Sequence, residues 1–167
     1  MAKKIWRTNR TILLVGEGAD EKAFLTHVKN HFAPRDCGKT VIVKNAQGKG
    51  ATHVVEWTIR QMGNAQYDDV AVMVDTDTGW TKAAIALAER ASITLLPSDP
   101  RFEAVLLRLL GKSPRGDSQA MKRQFAPLVQ QKSTEIESYA REFGPDILLA
   151  NRSRELSIDT LLKILDV

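Results

Sequence analysis

Short apolar runs separated by amphipathic stretches set the pattern of this chain. Thr11 to Val15, TILLV, is an unbroken apolar run that stops at a glycine, as expected of a strand covered on both faces. GEGADEKAFLTHVKNHF follows with turn glycines, then Phe24, Val28 and Phe32 at helical spacing, and Asp20 stands where a helix cap belongs. The unit repeats. Lys39 to Lys44, KTVIVK, predicts a second strand and AQGKGAT a loop, after which Thr52 opens a helical pattern through Val55, Ile59 and Met62. DDVAVMVDTD, with Val70 to Val74 as its apolar centre, predicts a third strand and Lys82 to Ala91 a helix. SITLLP predicts a fourth strand and Arg101 to Leu110 an apolar helix. Strands alternating with helices imply an α/β fold: a mostly parallel four-stranded sheet of Rossmann-like kind, flanked by helices joined through right-handed crossovers.

Beyond Gly111 the alternation ends. GKSPRGDSQ reads as an exposed linker, followed by helices near Met121 to Gln131 and Ser133 to Phe143, with Ser157 capping a last helix in IDTLLKIL. Residues 111–167 are therefore expected to form a helical C-terminal extension whose apolar faces lie on a core of residues 11–110. At 167 residues the whole fits one domain. Its apolar runs are too short to cross a bilayer. The basic MAKKIWRTNR lacks the apolar segment and cleavage site of a signal peptide, so a cytoplasmic protein is expected. The single cysteine, Cys37, excludes an internal disulfide and a thiolate zinc cluster. A net charge of +4 permits a polyanionic partner without demanding one.

The chemistry lies at the strand ends. Glu17 follows the first run, and Asp75 and Asp77 follow the third. If those runs are neighbouring parallel strands, about 4.8 Å apart, the three carboxylates meet at one edge of the sheet, where ligands bind in open parallel folds. Gathered carboxylates repel one another unless a cation neutralises them, and oxygen ligands of this kind suit Mg2+ or Mn2+. As an isolated pattern, Asp-x-Asp near Gly79 also fits ordinary turn residues.

Together these residues resemble a known family. GEGADEKAFL followed by VMVDTD is similar to the Toprim domain of type IA topoisomerases, bacterial primases and OLD-type nucleases. VGEGADEKAFL, VDTD and SDPRFEAVLL together resemble the RloB-like family of small Toprim-related proteins associated with restriction and phage-defence loci, over roughly residues 11 to 110. The resemblance implies a Toprim-like fold and a metal-dependent nuclease acting on DNA or RNA. It makes Glu17, Asp75 and Asp77 the metal-binding acids, with Asp20 a further contributor. Glu103 falls on the Glu of the third motif, where it supports the metal or a water, although an acid in a first helical turn is equally explained by the helix dipole. Ala104 and Val105 replace the family's aromatic residue after that Glu, and Leu109 stands where a His often closes the motif.

Basic residues offer contacts to a phosphodiester. Lys49, in Gln47-Gly48-Lys49-Gly50, precedes a helix N-terminus, where free amides and an ammonium suit a phosphate. Lys112, Arg115, Lys122 and Arg123 lie in or beside the loop after Gly111, as a nucleic-acid track or as a solvated basic face. His27 and His31, one helical turn apart, fit a helix edge with fewer assumptions than a metal pair. A topoisomerase needs a nucleophilic tyrosine, and neither Tyr67 nor Tyr139 stands in a recognisable context. Two other readings stay open: a non-catalytic nucleic-acid- or protein-binding accessory subunit, for instance of a defence-system ATPase, and a nucleotide phosphohydrolase or phosphotransferase.

Overall fold

Alternation along β1 (Arg10–Gly16) divides the core into two layers: Ile12 and Leu14 enter one apolar cluster, Leu13 and Val15 the other, all fully buried. Such two-sided burial is what a continuous apolar run demands of a central strand. The computed structural model describes residues 8–167, and the basic stretch at positions 1–7, set aside above as no signal peptide, lies outside the described residues. β1 sits between β2 (Lys39–Asn45) and β3 (Asp69–Asp75), and β4 (Ile93–Ser98) flanks β3. All three pairings are parallel, in the order β2-β1-β3-β4. The α/β class, the four strands and their parallel sense are those the sequence predicts.

One layer holds α1 (Ala19–Phe32) and α4 (Phe102–Leu109), and the other α2 (Gly50–Met62) and α3 (Lys82–Arg90). From β1 the chain turns to β2 on one side, then crosses to β3 on the other, so the winding direction reverses between β1 and β3. A crevice opens at such a reversal, beyond the carboxyl ends of the two strands. Glu17 and Asp75 occupy those two ends.

The C-terminal third covers the α1 and α4 layer through α5 (Ser118–Phe125), α6 (Pro145–Asn151) and α7 (Leu156–Ile164). Phe24 of α1 is its anchor, with ring centroids 5.8 Å from Phe102, 5.5 Å from Tyr139 and 6.3 Å from Phe143. Among the described residues no helix is long and apolar enough to cross a membrane.

Several helix boundaries differ from expectation. The helix expected at Met121 to Gln131 begins at Ser118, because Asp117 Oδ1 accepts the Ala120 amide, and it gives way after Phe125 to a 3-10 turn, Ala126–Val129, that contains Pro127. Ser133 to Phe143 contains only a 3-10 turn, Ile136–Tyr139. It is instead tied to α1: Ser133 Oγ donates to Asp20 Oδ1 at 2.9 Å and the Tyr139 hydroxyl reaches Asp20 O at 3.4 Å, while also donating within the segment to Ser133 O at 2.6 Å. α6 was not expected, although Pro145 in its first turn after Gly144 is a recognisable start signal. Ser157 does not cap α7. It is the helix's second residue, and its hydroxyl donates to Pro97 O at 2.6 Å, fastening α7 to β4. Asp20 likewise lies inside α1, whose N-cap is Gly18; Glu21 accepts the Gly18 amide at 3.0 Å.

Gly16 ends β1 where α1 comes closest. A Cβ there would stand 2.7 Å from the Lys22 nitrogen and 2.8 Å from Glu21 Cβ, so Gly16→Ala is expected to cost about 1–3 kcal/mol in urea unfolding. Phe24→Ala, which empties the centre of the aromatic cluster, is expected to cost about 3–5 kcal/mol in the same measurement.

Candidate metal and phosphate site

Glu17 continues the β1 ladder by one bond, its amide donating to Met73 O at 3.0 Å, and its carboxylate then reaches across the crevice. Oε2 accepts the Asp75 amide at 2.8 Å and Oε1 accepts the Gly50 amide at 3.2 Å. One side chain thus joins the end of β3 to the first turn of α2. Asp75 makes a similar junction, Oδ1 accepting the Phe102 amide at 2.8 Å at the start of α4, where a negative charge is favoured by the helix dipole. Asp77 pairs with Arg101 at 2.6 Å, the two side chains 23% and 31% exposed. Glu17 and Asp75 therefore meet at the sheet edge, and the charge of Asp77 is felt at the Asp75 carboxyl.

A fourth acid belongs to this group. Glu21, at 7% exposure in the first turn of α1, lies close enough to Glu17 and Asp75 for their charges to act on one another. Burial, with Asp20 and Glu17 nearby, pushes its carboxyl up to about 7. Burial and the charges of Glu21, Glu17 and Asp77 push Asp75 up to about 8. The sequence signal for Glu21 was its four-residue spacing from Glu17, hidden because a Glu in a first helical turn is also an ordinary capping residue.

Carboxylates buried beside one another in this way suit a hard cation, whose charge would offset both their burial and their mutual repulsion. An all-oxygen donor set matches Mg2+ or Mn2+. Both Glu17 oxygens are engaged by amides but retain lone pairs, since a carboxylate offers about four acceptor sites. Among the described residues no group of three or more His, Cys, Asp or Glu side chains is drawn together tightly enough to hold a metal ion as it stands. Arg101 on Asp77 is one reason: a guanidinium already neutralises that acid. Among the described residues the one buried side-chain polar atom without a partner is the Ser98 hydroxyl, whose residue lies directly across the sheet from Asp75.

Asp20 and Glu103 are brought together elsewhere. Both line a cavity of about 280 Å³ between α1, α4 and α5, with Lys122, Gln131 and Ser133 on its wall. Asp20 turns to Ser133 there, and Glu103 is 6% exposed. Burial and the carboxylates of Asp20, Glu21 and Glu103 hold the Tyr139 hydroxyl protonated far above its usual range. Lys112 and Arg115 line a separate open groove of about 800 Å³ with Gln124 and Leu128, and Arg123 is exposed on α5.

Lys49 is exposed in a left-handed conformation, φ +74°, immediately before α2. The amides expected to meet a phosphate there are spent within the protein: Gly48 on Glu17 O, Gly50 on the Glu17 carboxylate and Ala51 on Thr78 O. The exposed ammonium of Lys49 remains available to an anion. His27 is buried and its Nε2 lies 2.7 Å from Phe143 O, so it braces the C-terminal segment; burial holds its pKa below the usual value.

Native Asp75 and Glu21 keep protons that the unfolded chain, with ordinary carboxyl values of 3.8 and 4.5, releases earlier. Without divalent cations, the part of the stability governed by these two carboxyls is therefore fully present below pH about 4 and is lost as pH rises toward 8. Asp75→Asn is expected to remove most of this slope in melting temperatures measured from pH 4 to 8. A comparison with protein families, with curated proteins and with solved structures finds no match to this chain.

Proposed function

We propose that this chain is a divalent-metal-dependent nuclease that hydrolyses phosphodiester bonds of DNA or RNA, acting in the cytoplasm within a phage-defence or mobile-element system. The observation that carries the reading is the bond between the Glu17 carboxylate and the Asp75 amide at the winding reversal between β1 and β3, with the charges of Glu21 and Asp77 acting on Asp75. The resemblance of the same residues to Toprim and RloB-like motifs supports it and supplies the biological setting.

Glu17, Asp75 and Asp77 are the residues that would hold Mg2+ or Mn2+. Such an ion, when bound, polarises the phosphoryl oxygens and lowers the pKa of an attacking water. The protein's part is placement. Glu17 is fixed by two amides and Asp75 by the α4 amide, so both carboxylates are oriented before any ligand arrives. Lys49 stands exposed beside them for the phosphate backbone, with Lys112, Arg115 and Arg123 along the C-terminal segment as further contacts. Asp20 and Glu103 line the separate cavity between α1, α4 and α5, so neither is assigned to the cation.

A second reading, a binding module without catalysis that serves a larger defence complex, is favoured by the Arg101 pairing of Asp77 and by the amides that already occupy Glu17. Cleavage of labelled DNA and RNA strands in Mg2+ or Mn2+ decides between them. Asp75→Asn and Asp77→Asn are expected to lower the rate by at least about 100-fold, equivalent to roughly 3 kcal/mol of lost transition-state stabilisation, while circular dichroism stays native. Cleavage unchanged in both variants overturns the nuclease assignment. Strand binding without cleavage in either metal supports the binding module, and nucleotide hydrolysis without strand cleavage supports a phosphohydrolase.

A further inference from the structure

Arg101 enters the site from α4. It is the N-cap residue of that helix, with extended backbone, and its carbonyl accepts the Ala104 amide at 3.1 Å, so its main chain is fixed while its side chain projects toward the crevice. Asp77 is its only recorded side-chain partner among the described residues, at 2.6 Å. A guanidinium carries five N–H donors in a planar fork, so most of its hydrogen-bonding capacity is unspent on Asp77. At 31% exposure the side chain is within reach of a ligand lying over the crevice.

Three facts bear on what this arginine does. Asp77 is one of the three acids assigned to the cation, so the cation and Arg101 compete for one carboxylate. A partly exposed ion pair is weak enough to exchange. The planar fork matches the oxygens of a phosphodiester, which it grips through paired hydrogen bonds, whereas Lys49 offers only a point charge. A cation seated on Asp77 would also repel the guanidinium, driving it outward to where the phosphate lies.

We propose that Arg101 is a phosphate-binding residue held in reserve by Asp77, released when a divalent cation takes that carboxylate and then bound to a non-bridging oxygen of the phosphodiester. The proposal rests on the nuclease reading above and adds an order of events: cation first, then backbone. The ion pair keeps the acids partly neutralised until the cation arrives, so strand binding and cation binding favour each other. Reciprocity of that kind is required of any two linked binding events.

The test is binding rather than turnover. Mn2+ affinity is measured by calorimetry on wild type, Arg101→Ala and Arg101→Lys. The affinity of a short fluorescein-labelled DNA strand, and of the RNA strand of the same sequence, is measured by anisotropy with and without Ca2+ over a salt series. Arg101→Ala is expected to bind Mn2+ about three- to tenfold more tightly than wild type, because the competitor is gone. It is expected to bind the strand more weakly only in Ca2+, with the logarithmic salt slope reduced by about one phosphate contact. Arg101→Lys should restore the salt slope without the full affinity, since it keeps the charge and loses the fork. Unchanged Mn2+ affinity in Arg101→Ala, or equal loss of strand affinity with and without Ca2+, overturns the proposal and leaves the nuclease reading standing. Failure of both wild type and Arg101→Ala to bind Mn2+ overturns both.

Discussion

The Glu17 carboxylate is the joint on which this architecture turns. It accepts one amide from the end of β3 and one from the start of α2, each more than thirty residues further along the chain. A charged acceptor in a half-buried crevice makes stronger hydrogen bonds than a neutral one. Those two bonds set the spacing between the ends of β1 and β3 and so the spacing between Glu17 and Asp75. Asp75 extends the pattern by accepting the first amide of α4. The acids of the site are therefore also the fasteners of its walls, through three oxygen atoms: Glu17 Oε1 and Oε2 and Asp75 Oδ1.

That double use explains why the electrostatics are tense. A purely structural cap would be placed alone at a helix terminus, where the dipole favours it. Here Glu21 and Asp75 both lie close to Glu17, and both hold protons into the neutral range. Paired carboxylates with raised proton affinities are common where a fold is arranged for a ligand rather than for stability alone. Arg101 and the amides lessen the strain without removing it.

The parallel sheet was legible because each strand is an unbroken apolar run and each crossover a helical pattern of ordinary length. The meeting of Glu17 with Asp75 was legible from their places after two such runs. The C-terminal third was less so, since its fold is set by contacts that no local pattern announces. Ser133 and Tyr139 are both claimed by Asp20 of α1, which keeps that segment out of the regular helix its composition suggests. Ser157 was read as a cap from its position before an apolar stretch, yet the Pro97 carbonyl recruits its hydroxyl. Glu21 and Arg101 escaped notice for another reason: each has a routine local role, in a first turn and at a helix start, and only the folded chain shows that both roles are played beside the same acids.

The aromatic packing around Phe24 reaches further than the core it fills. α1 is stiff over its fourteen residues, with Asp20 and Glu21 in its first turn and Phe24 one turn later. Tyr139 and Phe143 clamp that second turn, so they set the helix's tilt against the sheet. A splint works in this way, holding a distant point still by gripping the shaft. The C-terminal segment thereby braces the helix that carries Glu21, through Tyr139 and Phe143 on Phe24 and the Tyr139 hydroxyl on Asp20 O.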